Sequence, residues 1–415
     1  MSPVRALARP DLGRGSASEP SGDQRERRAR EISVELDAEI EDLDDLLDAL
    51  GHDLTPVRKC HDFVINGEYP LSGPGCHSFL RVGLAFVPPS RDTVRPVQET
   101  TPVNRVIWLN GELVPWENAT VHVLSHSLQR GSLVFDYMSV KETPRGPAIF
   151  RLDLHAQRML RSCELMGLPI AMDEAALSGA IIEAARANPG AKAIKASAYF
   201  ASLEVDVVPA DSRVSVAIAA YDPSEDLLGR LPSPPAPRRR APISLWLEKQ
   251  AHQRRDDIVS PQAKVSANYA SSMTAKARAQ QLGFDEILLV DEDDHIAEGP
   301  TTNAFVVDAE GLLLTPPEKR VLRGVTRQSI IEIAEDCGIE VCETPIEPAG
   351  LMEASEVFLT GTTAGVLAVE SVDGEKIGNV CPGPVSLRLG KFLSRVESGE
   401  NADFDHWLTY IAGEG

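Results

Sequence analysis

Hydrophobic positions alternate with polar ones at two periods along this chain, and each period predicts an element type. In the stretch EISVELDAEIEDLDDLLDAL, Leu36, Ile40, Leu43, Leu47 and Leu50 recur at spacings of three and four, which predicts an amphipathic acidic helix over 31–50, with Gly51 as its stop. Residues 1 to about 30 are rich in Arg, Ser, Gly and Pro and read as disordered, and 52–100 carry Pro and Gly throughout, so 1–100 form an extension. RVIWLNGEL, from Arg105 to Leu113, is strand, Asn110-Gly111 turn and strand, because Asn-Gly suits a two-residue hairpin. A strand at 148–151, helices at 152–167 and 173–187, and strands near 193–202 and 213–221 make an α+β domain over 101–222. The prolines of PSEDLLGRLPSPPAPRRRAP forbid a regular element over 223–242, which reads as an interdomain crossover. A second body, 243–415, is expected to hold strands at Ile243–Glu248, Glu286–Val290, 304–307, 312–314 and 356–359, with helices at 267–282, 326–337 and 384–397.

Composition narrows the possible partners. A net charge of -21 repels the phosphates of nucleic acids and anionic membranes, so neither is expected as a partner. No apolar run approaches the roughly 18 residues of a membrane span, and the N-terminus lacks the apolar core of a secretory signal. The six cysteines form no tight CxxC pair and read as reduced, mostly buried residues of a cytoplasmic protein. Cys60-His61 and Cys76-His77 offer zinc-type ligands, but adjacent ligands at that spacing match no common finger, so no metal site is expected.

Four segments of the second body carry candidate chemistry, each with an ordinary alternative. In QAKVSANY, Lys264 lies among small residues at the end of an expected strand; it is either a surface lysine or a Schiff-base lysine. In IAEGPTTNAF, Glu298 precedes a Gly-Pro turn and a buried strand; it is either a solvated carboxylate or a partner for a protonated ring nitrogen. In LRGVTR, Gly324 allows close backbone approach or positive φ, and Thr326 is placed at a helix N-cap, as plain capping or as a phosphate seat. TGTTAG, from Thr360 to Gly365, follows a strand and is either a polar loop or an anion-binding nest. In the first domain, Arg151 ends a strand and opens a helix that also carries His155 and Arg158, and it is either exposed or a phosphate ligand.

Taken in order, Arg151, Lys264, Tyr269, Glu298, Gly324-Val325-Thr326 and Thr362-Thr363 resemble the fold-type IV (class IV) pyridoxal-phosphate enzymes, which include branched-chain aminotransferases, D-amino acid aminotransferases and aminodeoxychorismate lyases. The similarity covers about 104–397 and looks strongest to bacterial branched-chain aminotransferases, through IWLNGELVPWENATVHVLSHSL, IFRLDLHAQRM, AKVSANY, RGVTRQSIIEIAEDCGIEV and EVFLTGTTA. The resemblance implies a small α/β domain and a larger α/β-barrel-like domain with pyridoxal 5'-phosphate (PLP) between them. It implies that Lys264 forms an imine with the cofactor aldehyde and moves the substrate α-proton, that Glu298 meets the pyridine nitrogen, and that Tyr269 meets the phenolic oxygen. Arg151, the amides of Val325 and Thr326, and Thr362 would hold the phosphate; Thr363 and Ala364 would face the substrate carboxylate beside Phe135. The family works as homodimers. The implied reaction is transamination between a branched-chain or other hydrophobic L-amino acid and a 2-oxo acid such as 2-oxoglutarate. D-amino acid or amine transamination, lyase activity on an aminated chorismate, and a non-catalytic scaffold that binds partners through 1–100 remain open.

The substrate side departs from the branched-chain pattern. Arg130 stands in place of a tyrosine, Ala193-Ile194-Lys195 in place of Tyr-x-Arg, Tyr137 in place of a glycine, and Asp222-Pro223-Ser224-Glu225-Asp226 in place of an aromatic-rich loop start. A cation added to an apolar pocket needs an anion, so Arg130 and Lys195 are expected to bind substrate carboxylates, with an external ion pair as the alternative for Arg130.

Overall fold

The computed structural model describes residues 103–231, 242–249 and 254–412. The expected extension, its acidic helix over 31–50, the two Cys-His pairs and residues 232–241 of the proline-rich crossover lie outside them, while the crossover's first residues, Pro223–Leu227 and Leu228–Arg230, form short helical turns despite the prolines.

The chain first forms β1 (Val106–Leu109) and β2 (Glu112–Pro115), joined by Asn110 at φ 51° and Gly111 at φ 100°, the left-handed pair that a type I′ turn requires. Next come α1 (His126–Arg130), β3 (Val134–Lys141), β4 (Ala148–Phe150), α2 (Leu152–Leu165), α3 (Glu174–Ala187), β5 (Ala193–Phe200) and β6 (Val214–Tyr221). After the crossover the order is β7 (Ile243–Glu248), α4 (Ala267–Gln281), β8 (Glu286–Leu289), β9 (Glu298–Gly299), β10 (Thr302–Val307), β11 (Leu313–Thr315) and α5 (Val325–Asp336). The remainder is β12 (Val341–Glu343), α6 (Pro348–Glu353), β13 (Glu356–Gly361), β14 (Gly365–Val372), β15 (Glu375–Lys376), α7 (Pro384–Glu397) and β16 (Leu408–Tyr410).

The first sheet is antiparallel in the order β16-β4-β3-β5-β6-β1-β2. Residues of β3 alternate between buried and half-buried, so Val134 and Met138 meet Ile194 and Ile218 and pack under Met159 of α2 and Ile181 of α3. The second sheet runs β12-β11-β10-β13-β14-β7-β8, with β9 on β10 and β15 on β14. Ala297 N donates to Leu289 O at 2.9 Å and Val290 bridges Ile296, so the segment entering β9 stitches the β8 end back toward β10 and the sheet curls like a barrel. Its interior holds Leu245, Ala304, Val306 and Leu359; its outer face stacks Phe305 on Phe358 at 5.1 Å beneath α5 and α7.

Three differences from the expected elements matter. The strands β3 and β14 are additional to the expected ones. The last strand, β16, leaves the second sheet and pairs with β4, carrying the chain's end back to the first sheet. Thr326 is not an N-cap: Gly324 caps α5 and Thr326 is its second residue, because the chain enters the helix tight against Asn303, where a Cβ on Gly324 would lie 1.8 Å from Asn303 Oδ1.

Candidate functional site

A cleft lies where α2, the segment before α4, the β9–β10 turn and the start of α5 converge. Lys264, Tyr269, Glu298, Val325, Thr326 and Thr362 line it together.

Lys264 is not the last residue of a strand. It sits in an extended segment along β3: its carbonyl accepts from Phe135 N at 3.0 Å, and its amide donates to Ser162 Oγ at 3.0 Å. Val265 bridges Val134, and α4 begins two residues later. Strand β3 and helix α2 thereby fix the lysine backbone. Its Nζ donates to Tyr269 Oη at 2.9 Å and lies 5.2 Å from the centre of the Phe135 ring. Tyr269 is one short turn of helix further on, so amine and phenol meet by local geometry.

Glu298 is 3 % exposed. Burial pushes its carboxyl above the usual range, against the opposing charge of Arg254, whose Nε lies 3.2 Å from Oε1, and the Leu322 backbone. Asn303 Nδ2 and Leu322 N donate to Oε2 at 3.1 and 3.2 Å, so both are aimed at one oxygen. Asn303 also donates to Leu322 O at 2.9 Å, tying the carboxylate to the loop that enters α5. Such a carboxylate is held in place yet poorly compensated, and a cationic N–H reaching it would relieve the cost of its burial.

At the other end, the free amides of α5 open into the cleft beside Gly324, with no side chain capping them. Arg158 of α2 stands there, buried, its Nη1 donating to Arg323 O at 3.1 Å. The hydroxyls of Thr302 and Thr360 are buried against the same cleft with no hydrogen-bond partner among the described residues. The amides and the guanidinium together can seat an anion, and the two unpaired hydroxyls line the same cleft.

Arg151, expected at that seat, is elsewhere. Its left-handed backbone (φ 48°) turns the side chain onto Trp407, 4.4 Å from the ring, and Nη1 pairs with Glu332 Oε2 at 2.9 Å. The arginine beside the α5 start is Arg158, which the sequence places on the same helix without a phosphate role; its signal is the i,i+3 spacing from His155, which puts both on one face of α2. Arg130 is exposed and donates to Val205 O at 2.9 Å, outside the cleft. Lys195 is nearer: its Nζ lies 4.7 Å from the Phe135 ring, whose other neighbours are Lys264 Nζ and the Tyr269 ring, the latter 5.1 Å away. The surroundings of Lys195 lower its pKa, first through desolvation and then through the charge of Lys264, although much of the side chain meets solvent. Thr363 and Ala364 line a neighbouring groove that Thr362 shares with the cleft.

Among the described residues Asp291, Asp293 and His295 cluster closely enough to suggest a metal, but Arg320 already serves as their cation, with Nη2 2.6 Å from Asp293 Oδ2. Of the described cysteines only Cys163 is fully buried, and burial pushes its thiol up to about 12; Cys337, Cys342 and Cys381 are free and partly buried. No helix among the described residues is long and apolar enough to cross a membrane.

The class IV amino-transferase family profile matches residues 133–372. The branched-chain-amino-acid aminotransferase of Escherichia coli (strain K12) is 33% identical over 315 residues, 75% of this chain and 99% of that protein. The enzyme of the same name from Pseudomonas aeruginosa is 32% identical over 307 residues, 74% of this chain and 97% of that protein. The crystal structure of the branched-chain aminotransferase of Thermoproteus uzoniensis with norvaline superposes with a TM-score of 0.66 at 29% identity, over 74% of this chain and 99% of that one. The PLP form of the Thermobaculum terrenum branched-chain enzyme gives 0.66 at 26% identity, over 74% and 98%. With its lysine, buried glutamate and anion seat gathered in one cleft of a fold-type IV structure, this chain belongs to the class IV aminotransferases.

Proposed function

We propose that this aminotransferase exchanges an amino group between a branched-chain or other hydrophobic L-amino acid and a 2-oxo acid such as 2-oxoglutarate, with PLP held in the cleft. The observation that carries this reading is that Lys264, Glu298 and the uncapped start of α5 line one cleft. The residues suit the cofactor: the orphaned hydroxyls of Thr302 and Thr360, the α5 amides and Arg158 would take its phosphate, and Glu298 would take its ring nitrogen. When bound, PLP supplies an electron sink for charge developing at the substrate α-carbon.

The protein's own groups supply the rest. The Lys264 amine takes the proton from the substrate α-carbon, and its backbone, pinned by Ser162 and Phe135, fixes where that transfer happens. Tyr269 Oη holds the amine between transfers. Glu298, oriented by Asn303 and Leu322 N, would face the cofactor's ring nitrogen and favour its protonated form. Phe135 forms an aromatic wall, and Lys195, close to its ring, is the substrate-side cation; Arg130 has no such place. Thr363 and Ala364, in the adjoining groove, offer the substrate carboxylate its backbone groups. The active form is a homodimer, supported by the apolar side chains of Leu124, Leu128, Leu203, Val205, Val207 and Val208, exposed on two segments joined at the Ser125–Leu203 bridge.

Purified protein given PLP should develop an absorbance band at about 410–430 nm, the range for a lysine-bound form. Lys264→Ala should lose the band while keeping its circular dichroism. A chain that stays colourless in the wild type removes the reading, and a panel of amino donors with 2-oxoglutarate then fixes the substrate.

A further inference from the structure

Arg158 owes its placement to two residues that do not line the cleft. Asp136, on β3, has no exposed surface and sits beneath α2. Its Oδ2 accepts from Arg158 Nε at 2.8 Å and its Oδ1 from Arg158 Nη2 at 2.8 Å, a two-point fork. Oδ1 also lies 2.6 Å from His155 Nδ1 and accepts from Tyr137 N at 2.9 Å. Burial acts to raise the Asp136 carboxyl pKa, but the Arg158 guanidinium and His155 outweigh it and hold the group ionised, well below the usual range. An ionised carboxylate only accepts, so His155 Nδ1 carries the proton and donates; the 3.3 Å approach of Arg158 Nη2 to that nitrogen is then a contact.

The donor count follows. A guanidinium has five N–H groups. Two go to Asp136 and one to Arg323 O. The remaining two, one on Nη1 and one on Nη2, are left on an arginine that lines the cleft next to Gly324, Val325 and Thr326. The fork takes the Nε–Nη2 edge, so the Nη1 edge is the one turned to the α5 start. Without the fork, a flexible arginine would have many rotamers to choose among.

We propose that Asp136 and His155 are positioning residues: by clamping the Nε–Nη2 edge of Arg158 they present its Nη1 edge to the phosphate of the cofactor. This rests on the reading of the cleft as a PLP site. The pair therefore sets the affinity for the phosphate end and leaves the amine chemistry at Lys264 untouched.

Pyridoxal, which lacks the phosphate, separates this role from a merely structural one. Wild type and Asp136→Asn are titrated with PLP and with pyridoxal, each read at about 410–430 nm. Asp136→Asn should weaken PLP about tenfold or more, the scale for removing a partner that orients a ligating side chain, and change pyridoxal by less than about twofold. Arg158→Lys, which keeps the charge but not the fork, should show the same selectivity. Should Asp136→Asn not fold, His155→Leu is read in the same way, with a selective loss of about threefold in PLP affinity expected. A lowered melting temperature with the PLP-to-pyridoxal affinity ratio unchanged overturns the proposal, as does an equal loss for both compounds. A wild type that colours with neither overturns the cofactor reading itself, on which the proposal depends.

Discussion

Phe135 lies near two amines, with Lys264 Nζ at 5.2 Å and Lys195 Nζ at 4.7 Å from the centre of its ring. The two cations disfavour each other, and a substrate anion between them would relieve that repulsion. Among the described residues no carboxylate lies within ion-pair distance of Lys195. Lys195→Met should therefore raise KM for 2-oxoglutarate by about tenfold, the rough worth of one charge-assisted hydrogen bond, and change KM for a hydrophobic amino acid by less than about twofold. Steady-state kinetics on both half-reactions would check it, and equal KM changes would remove Lys195 from substrate binding. At this scale the sequence was legible where a residue acts through its neighbours in the chain, as Lys264 and Tyr269 do five residues apart. It was not legible for Arg151 against Arg158. Both lie in one short stretch of the chain, but their partners, Glu332 and Asp136, come from distant segments.

The helices show how a buried charge can cap an element. Glu356 opens β13 yet is 6 % exposed, and its two oxygens accept from Val385 N and Ser386 N at 2.8 and 2.9 Å. It thus serves the first turn of α7 from another strand, where the helix dipole favours a negative charge. The chain makes room for it with Gly383, where a Cβ would come within 2.1 Å of the Glu356 carboxyl. Glu356→Ala should cost about 1–2 kcal/mol, read as a lower urea midpoint with an unchanged slope. The elements with clean periodicity, such as β7 over Ile243–Glu248 and α7 over Pro384–Glu397, fall where their patterns placed them. The strand β3 escaped notice because Asp136 occupies one of its inward positions. Its alternation is regular in space but broken in letters, since the residues that compensate the charge, His155 and Arg158, lie on α2. The N-cap of α5 was misplaced by two residues because close packing against Asn303, rather than a hydroxyl, fixes its start.

Across the whole molecule, Asp136 and Arg158 bind the first sheet to the loop that enters α5 of the second. This link has a pH dependence of definite sign. The folded pKa of Asp136 lies below its unfolded value of about 3.9, so its contribution is full above about pH 4 and is lost as pH falls below that. Glu298, raised by burial, works in the opposite sense, so the comparison must be between chains that differ only at Asp136. Calorimetry on cofactor-free protein should show the melting temperature falling below about pH 4, and falling less steeply in Asp136→Asn. Parallel slopes would show that the pair is not what acid breaks. The return of the last strand has a different consequence, one of timing. A ribosome makes β4 early and β16 after every other described strand, so the edge of the first sheet stays uncovered through most of synthesis. The nascent chain thus carries a sticky margin that its own tail must seal, and a chain cut short near its end would leave the enzyme prone to clump rather than merely slow.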